Sequence, residues 1–507
     1  MTQQTPKVAI IGAGIGGLAT AIRLVAKGFV VDVFEKESQP GGKLMEIRKD
    51  GFRFDLGPSL FTQPERVEEL FTLMGERTSD HFRYRRLTNI CRYFWPDGTR
   101  LNADADPDEF AYEVRRVLHI EPHKTSQYLN QAQRLYDLAA PLLLNRPFPT
   151  VEALMSPAGQ KIGRNPWILD PFVTLHHRNQ KTFTDPRLVQ LFDRYATCNG
   201  SDPYKAPATL KMIAHLEHNL GAFFPDNGMY SIVRELTNLA LRHGVRFHFG
   251  TPVERINRYS ASGAVTGIRI GAKDLKFDAV VSDVDIHTLY NRGMVDMAKP
   301  LLGRNQALST SALIFYWGVA GSYPELDLYN ILFSSDYREE FKCIFRKKTL
   351  PDDPTVYIFI SSRVVPGDAM PGHENWFVMI NTPENTGQDW DTLIRKSRHT
   401  ILDKIQNLTR NNIRQQIVFE HIEDPRSIEV RTGSYNGALY GNSSNSRMSA
   451  FIRHPNQRRA APGLWFTGGS VHPGGGIPFC LASAKIVADN LEDQKTERPR
   501  DRQTMRR

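Results

Sequence analysis

Residues 7 to 35 constrain the fold of this chain more than any other stretch. Lys7-Val8-Ala9-Ile10-Ile11 reads as a buried strand and Gly12-Ala13-Gly14-Ile15-Gly16-Gly17 as a glycine turn opening a helix. Phe29-Val30-Val31-Asp32-Val33-Phe34 reads as a second strand that ends at Glu35. Each part has a job in holding a dinucleotide. Gly12 permits the tight turn, Gly14 lets the backbone approach a pyrophosphate, and Gly17 lets the helix pack close to the strand. The helix N-terminus offers unpaired N–H groups to the phosphates. Glu35 is placed to accept hydrogen bonds from a ribose 2′-hydroxyl, which selects against a 2′-phosphate. A glycine turn alone binds nothing in many proteins; the complete unit with its acid is what points to a dinucleotide.

The same stretch imitates a secretory leader, because Val8 to Ile22 is uncharged and mostly apolar behind Lys7. Its glycines and its fit to strand, turn and helix argue against that reading. No uncharged apolar run reaches the ~18 residues needed to span a bilayer. Cys91, Cys198, Cys343 and Cys480 are scattered, with neither a CxxC pair nor a metal spacing. They suit a reducing cytoplasm, and no metal site is expected. With 507 residues, 40% hydrophobic and 23% charged, the chain is globular and long enough for more than one domain. The net charge of +9 suits an anionic membrane surface or nucleic acid. No nucleic-acid module is visible, so the membrane is the better of the two. Arg83–Arg86, Arg346–Lys348 and the basic tail also read as simple solvated faces.

Further along, Arg92 to Thr99 reads as a hairpin turning at Pro96-Asp97-Gly98. Apolar residues from Asp108 to about Leu143 fall at helical spacing, interrupted by Pro141, and residues 185 to 224 again read mainly as helix. This greasy, aromatic region suits a plain core, an apolar cavity or a membrane-dipping face. Asp226-Asn227-Gly228 is a turn before a helix from Met229 to Leu241. Val245 to Phe249, Gly267 to Ile270, Ala279 to Ser282, residues 310 to 320 and residues 355 to 361 read as strands. Asp389 to Leu408 is an amphipathic helix, and Gly463 to Thr467 a buried strand. A last helix runs from about Pro478 to Leu491. Residues 492–507 are charged and are expected to be a disordered tail.

Two more glycine clusters join the first. Gly41-Gly42-Lys43 follows Glu35 closely; its glycines let a backbone pass near phosphates, and Lys43 is placed to pair with one. His472-Pro473-Gly474-Gly475-Gly476-Ile477-Pro478 lies between the last strand and the last helix. There a flat ring can approach the backbone, and the helix N-terminus stabilises negative charge on it. A reduced flavin carries such charge at one edge, so the two ends of the chain are expected to build one flavin site.

These motifs carry a resemblance. Gly12 to Gly17 with Glu35, Gly41-Gly42-Lys43, the run Gly51 to Leu60 (Phe54-Asp55-Leu56-Gly57-Pro58-Ser59 at its heart), Phe223-Phe224-Pro225 with Gly228-Met229, and Gly469 to Pro478 together resemble the bacterial and fungal carotenoid (phytoene) desaturases. These sit within the amine-oxidase-like flavoproteins. Asn436-Gly437 to Tyr440-Gly441 and Ser443-Ser444-Asn445 are most similar to the hydroxycarotenoid 3,4-desaturase branch. The likeness spans nearly the whole chain.

The resemblance implies an α/β fold: a Rossmann-type, amine-oxidase-like FAD-binding domain with a mixed α+β substrate domain inserted. Residues 1–80, 226–290 and 425–491 would form the first, and residues 81–225 and 291–424 the substrate-binding and membrane-docking domain. It implies FAD as cofactor. Gly12, Gly14 and Gly17 would meet its pyrophosphate, Glu35 its ribose and Val253 its adenine. Gly41, Gly42, Lys43, Gly57, Pro58 and Ser59 would line the site, with Gly469, Ser470, Gly476 and Ile477 near the ribityl chain and ring. One departure stands out: amine oxidases carry an acid after the glycine of the last strand, whereas here the run is Gly468-Gly469-Ser470.

The implied reaction removes a hydride from an allylic carbon to flavin N5 and a proton from the neighbouring carbon. Proton acceptors are open: water, His472 or Asp55; His472 reads first as a structural histidine before a proline turn, and Asp55 at least as well as an ion-paired structural residue. An apolar polyene substrate resides in the bilayer, so the enzyme is expected in the cytoplasm, docked on the inner face of the membrane. With no second GxGxxG, the acceptor of electrons would be a quinone or oxygen rather than a nicotinamide. Other reactions on the same fold remain open: phytoene or C30 diapophytoene desaturation, polyene isomerisation or saturation, amine oxidation. So does a flavin-free lipid carrier, against which the intact Gly474 to Ile477 cluster argues.

Overall fold

The first strand, Lys7–Ile11, lies at the centre of a five-stranded parallel sheet. The order is Leu464–Phe466, Ala279–Ser282, Lys7–Ile11, Val30–Phe34, Arg246–His248. Chain segments more than two hundred residues apart thus meet side by side, all parallel. Such strands are covered on both faces and so read as unbroken apolar runs. Val8, Ala9 and Ile10 are fully buried. On one face the helix Ile15–Ala26 packs against Ser231–Arg242 and the closing helix Ile477–Glu497. On the other, a three-stranded antiparallel sheet (Arg255–Arg258, Val265–Ile270, Lys273–Lys276) buries Ile256 and Ile268 with Ala9, Ile11 and Val280. The computed structural model describes residues 5–147, 150–170, 172–300, 306–446 and 452–497.

A second sheet of seven strands runs Ile417–Glu423, Ser311–Ala320, His373–Thr382, Val356–Phe359, Tyr329–Leu332, Asn89–Phe94, Arg100–Asp104. Its pairs are antiparallel except Tyr329–Leu332 with Asn89–Phe94. Strand periodicity divides Ser311–Ala320 between two cores. Leu313, Phe315, Trp317 and Val319 join Ile401, Leu402 and Ile405 of the helix Trp390–Thr409. Ala312, Ile314 and Tyr316 face the large core shared with the parallel sheet. Helices from Pro107 to His218, the 22-residue Pro122–Leu143 among them, pack into that shared core through Phe110, Tyr128, Leu188 and Phe192.

Several local features differ from the sequence expectations or add to them. Phe223–Pro225 is a strand paired with Tyr84–Arg86, not the end of a helix. The region before it breaks into Pro186–Asp193, 3-10 turns and Met212–His218, because Gly200, Pro203 and Pro207 punctuate it. The run from Met45 to Leu56 is a hairpin, Met45–Lys49 against Phe52–Leu56, turning through positive φ at Asp50 and Gly51. The expected disordered tail begins too early: the closing helix continues through Glu497, and residues 498–507 lie outside the described residues. Pro141 falls in the last turn of Pro122–Leu143, where the helix ends soon after the lost N–H.

Candidate functional site

The glycine turn is held by backbone. Gly12 adopts φ +99° and donates its N–H to the Phe34 carbonyl at 2.8 Å, tying the turn to the second strand. A Cβ on Gly17 would overlap the Gly12 carbonyl oxygen. A Cβ on Gly14 would lie 2.6 Å from Asp283 Oδ2, so a side chain here would push that carboxylate aside. The helix Ile15–Ala26 has no acid in its first turn, and its N-terminus faces the end of the Ala279–Ser282 strand.

The three glycine clusters meet. Gly41 donates to the Ala13 carbonyl at 2.9 Å and bridges Gly14, and a Cβ on Gly42 would sit 3.4 Å from Gly14 Cα. A Cβ on Gly16 would fall 2.9 Å from Gly468 Cα, and one on Gly469 would fall 3.4 Å from Gly475 Cα. A Cβ on Gly57, at φ +107°, would overlap the Lys43 carbonyl. Pro58 and Ser59 follow it into a partly open loop. Gly476, at φ +117°, leads into Ile477, the buried first residue of the closing helix. The walls here are bare backbone, a cradle that side chains would fill.

Polar side chains are set into this cradle. Glu35 is buried; its Oε2 accepts from Ala13 N–H at 2.7 Å and its Oε1 from Glu37 N–H at 3.0 Å. Each oxygen keeps further acceptor capacity. Val253, also buried, packs near Phe34 on the loop after Thr251, whose N–H binds the Glu35 carbonyl at 2.8 Å. Asp283 accepts from Gly17 N–H at 3.0 Å. Burial pushes its carboxyl up to about 7; Glu35 adds to the rise, while Lys43 and the glycine N–H groups oppose it. Lys43 Nζ reaches the Leu439 carbonyl at 2.5 Å, and burial lowers its pKa against the pull of Asp285 and Asp283. Ser470 Oγ accepts from Ile286 N–H at 2.9 Å.

Asp55 and His472 are committed to architecture. Asp55 holds Arg53 at 2.5 Å and accepts from Met229 N–H at 3.0 Å and Tyr230 N–H at 2.9 Å. Arg53 also reaches Glu46 at 2.6 Å and Asp368 at 3.0 Å. This buried hub joins the hairpin, the Ser231–Arg242 helix and the seven-stranded sheet. His472 Nε2 lies 2.9 Å from the Arg146 carbonyl, which can only accept, so that nitrogen carries the proton. Burial lowers the ring's pKa to about 4, so it stays neutral.

Beside the cradle lies internal space. Ser59, Arg194, Cys198, Tyr357, Tyr440 and Cys480 keep accessible surface although Arg194, Cys198, Tyr357, Tyr440 and Cys480 lie deep in the fold. Tyr440 packs between backbones: a Cβ on Gly475 would be 2.6 Å from its ring, and one on Gly200 2.9 Å. Ser59 Oγ and Tyr357 Oη are 2.7 Å apart, and Tyr329 donates to the Ser59 carbonyl at 2.5 Å. A separate open cleft of ≈ 480 Å³, lined by Trp95, Asp353, Lys404 and Arg410 among others, lies on the outer side of the seven-stranded sheet and shares no residue with this space.

Sequence reasoning did not single out Asp283, and it named Tyr440 only within a branch motif, with no role in the site. Asp283 carried a signal: it directly follows a strand of the parallel sheet, at the carboxyl end where such sheets bind ligands. The converging glycines, the open helix N-terminus and the acid at Glu35 fit a flavin dinucleotide.

Comparison with known proteins agrees. Residues 15–491 match the flavin containing amine oxidoreductase family. The chain is 44% identical over 483 residues to the 1-hydroxycarotenoid 3,4-desaturase of Flavobacterium sp. (strain P99-3), covering 95% of this chain and 98% of that protein. It is 29% identical over 499 residues to the 4,4′-diaponeurosporene oxygenase of Staphylococcus aureus (strain MSSA476), covering 97% and 99%. Among solved structures, cyclohexylamine oxidase from Brevibacterium oxydans IH-35A shares the fold with TM-score 0.62 at 15% identity, covering 97% of this chain and 100% of that one.

Proposed function

The chain belongs to the family of flavin-containing amine oxidoreductases, with FAD as its cofactor, and from that premise we propose that it is a carotenoid desaturase. The reaction we assign is formation of the 3,4 double bond of a 1-hydroxycarotenoid. The observation that carries this reading is the 44% identity, over 95% of the chain, to a protein named for that reaction. We assign Gly12, Gly14 and Gly17 to the pyrophosphate, Glu35 and Val253 to the adenosine half, and Gly469, Ser470, Gly476 and Ile477 to the flavin half. Gly41, Gly42, Lys43 and the loop Gly57-Pro58-Ser59 complete the wall.

When bound, FAD supplies a two-electron acceptor for hydride. The chain supplies the rest. The glycine walls fix the cofactor's position, and the internal space beside Tyr440 and Tyr357 orients an extended polyene. Loss of hydride from an allylic carbon leaves a cation spread along the polyene. The C–H beside that cation is strongly acidic, so water suffices to take its proton. Neither carboxylate oxygen of Asp55 is without a donor, and His472, with its lowered pKa and its Nε2–H on Arg146, is a poor base.

A bilayer-resident substrate needs a docking face. Val151, Leu154, Met155, Trp167 and Phe172 are each more than half exposed, within one short region that also carries Lys161 and Arg164. Among the described residues no helix is long and apolar enough to cross a membrane. This apolar face with basic neighbours supports peripheral binding to anionic lipid. Quinone dissolved in that lipid, or oxygen, would reoxidise the flavin.

Product analysis tests the reading. The chain is expressed in hosts that accumulate phytoene, neurosporene or 1-hydroxylated carotenoids separately. A longer chromophore only in the hydroxylated host is the expected result. Conversion of phytoene would move the assignment to an earlier desaturation, and an oxygenated product would move it toward the oxygenases. Full FAD loading with no polyene changed would overturn it.

A further inference from the structure

Arginine seldom enters a protein interior without a carboxylate beside it. Three arginines are buried among the described residues: Arg23, Arg53 and Arg453. Arg23 meets Glu69 at 2.9 Å, and Arg53 meets Glu46, Asp55 and Asp368. Arg194, a little more exposed, meets Glu217 at 2.8 Å and Tyr93 Oη at 2.9 Å. Arg453 meets no carboxylate among the described residues. Its Nη1 donates to two carbonyl oxygens, Tyr440 at 3.2 Å and Asn442 at 3.1 Å. Its Nε and Nη2 donate to no described residue, yet both keep accessible surface. Burial lowers its pKa to about 10 with no nearby acid to oppose the fall, and it stays charged at neutral pH. A buried charge so placed calls for a counter-charge from outside the chain.

Its place in the fold says which. His454 bridges Val471, and its carbonyl accepts the His472 N–H at 2.9 Å. That pairing lays Arg453 alongside the third glycine cluster. A Cβ on Gly474 would lie 3.0 Å from its Nε and 3.3 Å from its Cζ, so the guanidinium packs on the Gly474 backbone itself. Tyr440, whose carbonyl it holds, packs its ring on Gly475. Gly476 and the start of the closing helix at Ile477 follow directly. This is the wall assigned above to the flavin half of FAD. Hydride carries two electrons and one proton, so the ring that accepts it gains one negative charge. The polyene keeps the matching positive charge until its own proton passes to water. An uncompensated guanidinium and a helix N-terminus stand together at the wall where that negative charge arises.

We propose that Arg453 is the fixed cation that balances the negative charge of the reduced flavin and so raises the cofactor's reduction potential. The inference deepens the hydride-transfer reading above and rests on the flavin placement given there. It makes Arg453 an electrostatic partner of the ring, neither a proton acceptor nor an anchor for the pyrophosphate. Charge near the ring is one of the few means a protein has to tune a flavin.

The test uses the FAD-loaded enzyme and no polyene, so its failure and that of the desaturase reading are separate. Sulfite is the probe, because its addition to the oxidised ring leaves the same negative charge that hydride does. Bleaching of flavin absorbance gives the sulfite dissociation constant, and equilibration with a redox dye gives the midpoint potential. Wild type is expected to bind sulfite and to hold a potential above that of free FAD. Arg453→Met should weaken sulfite binding about a hundredfold, the effect of a unit charge several ångströms away at an effective dielectric of about 20. The potential should fall by about 60 mV, the same factor for a two-electron couple. Arg453→Lys keeps the charge without the guanidinium's geometry, and should stay within about fivefold of wild type. Melting temperature and flavin content report folding in both variants. Sulfite affinity within about threefold of wild type in a folded Arg453→Met overturns the proposal, because so small a change leaves no room for a nearby charge. Equal losses in Arg453→Met and Arg453→Lys overturn it too, since they mark a role in packing alone. So does a wild-type potential at or below that of free FAD, a result that needs no variant to fold.

Discussion

The two walls of the internal space are made of different material. One is backbone: Gly12, Gly14, Gly17, Gly41, Gly42, Gly469 and Gly475 approach each other closely enough that added side chains would crowd or collide. The other is side chain: Ser59, Arg194, Tyr357 and Tyr440, borne on a strand, a 3-10 turn and loops. A backbone wall has one geometry and tolerates almost no change. A side-chain wall can be repacked or recharged while the sheet behind it stands. The first suits a flavin, the cofactor the family is described by, and the second a substrate, and substitutions should divide accordingly.

The largest effect is expected on the backbone wall. In Gly17→Val the Cβ would overlap the Gly12 carbonyl, a clash no rotamer relieves. The turn must open, and the purified protein should carry no flavin absorbance. A Gly17→Val protein with full flavin would break the distinction between the walls. The next effect falls on the hub between them. Asp55→Asn leaves Arg53 underpaired, and breaking such a buried pair costs about 3–5 kcal/mol. Denaturant melts should show that loss, with kcat of the surviving folded enzyme little changed. The reverse pattern, normal stability with kcat lost, would return Asp55 to the role of base.

The backbone wall was legible in the sequence because glycine spacing spells it directly. Ser311–Ala320 was legible because its β-branched and aromatic run marks a strand. The hub at Arg53 and Asp55 was not. Its partners Glu46 and Asp368 come from a neighbouring strand and a distant turn, and buried charges at 53 and 55 disguise a strand buried along its whole length. Arg194 was hidden for a related reason. Tyr93 lies 101 residues away on another element, and glycines and prolines break the periodicity around it. Asp283 stood next to a strand the sequence did reveal. Only the sheet order, with Ala279–Ser282 beside Lys7–Ile11, puts its carboxylate against Gly14 and Gly17.

Asp283 is also where the finest comparison can be drawn, because it is a side chain set into the backbone wall. It faces Glu35 from the second strand, Lys43 from the second glycine turn and Cys480 from the closing helix. Burial and the Glu35 charge raise its carboxyl to about 7. An acid raised in the folded state keeps its proton where the unfolded chain has lost it, so stability falls as pH rises from about 4 to about 7 and then levels off. A pyrophosphate held at the same helix N-terminus adds negative charge and favours the protonated acid further. FAD binding to the apoprotein should therefore take up a proton above pH 7 and weaken by about tenfold for each pH unit beyond it. Asp283→Asn keeps an acceptor for Gly17 N–H without the charge. At pH 8 it should bind FAD about tenfold more tightly than wild type, a gain of about 1.4 kcal/mol, and lose the pH dependence. Calorimetry in two buffers of different ionisation heat measures the proton directly. Equal heats in both buffers for wild type would mean that Asp283 is already ionised, and that the wall tolerates two negative charges at one helix end.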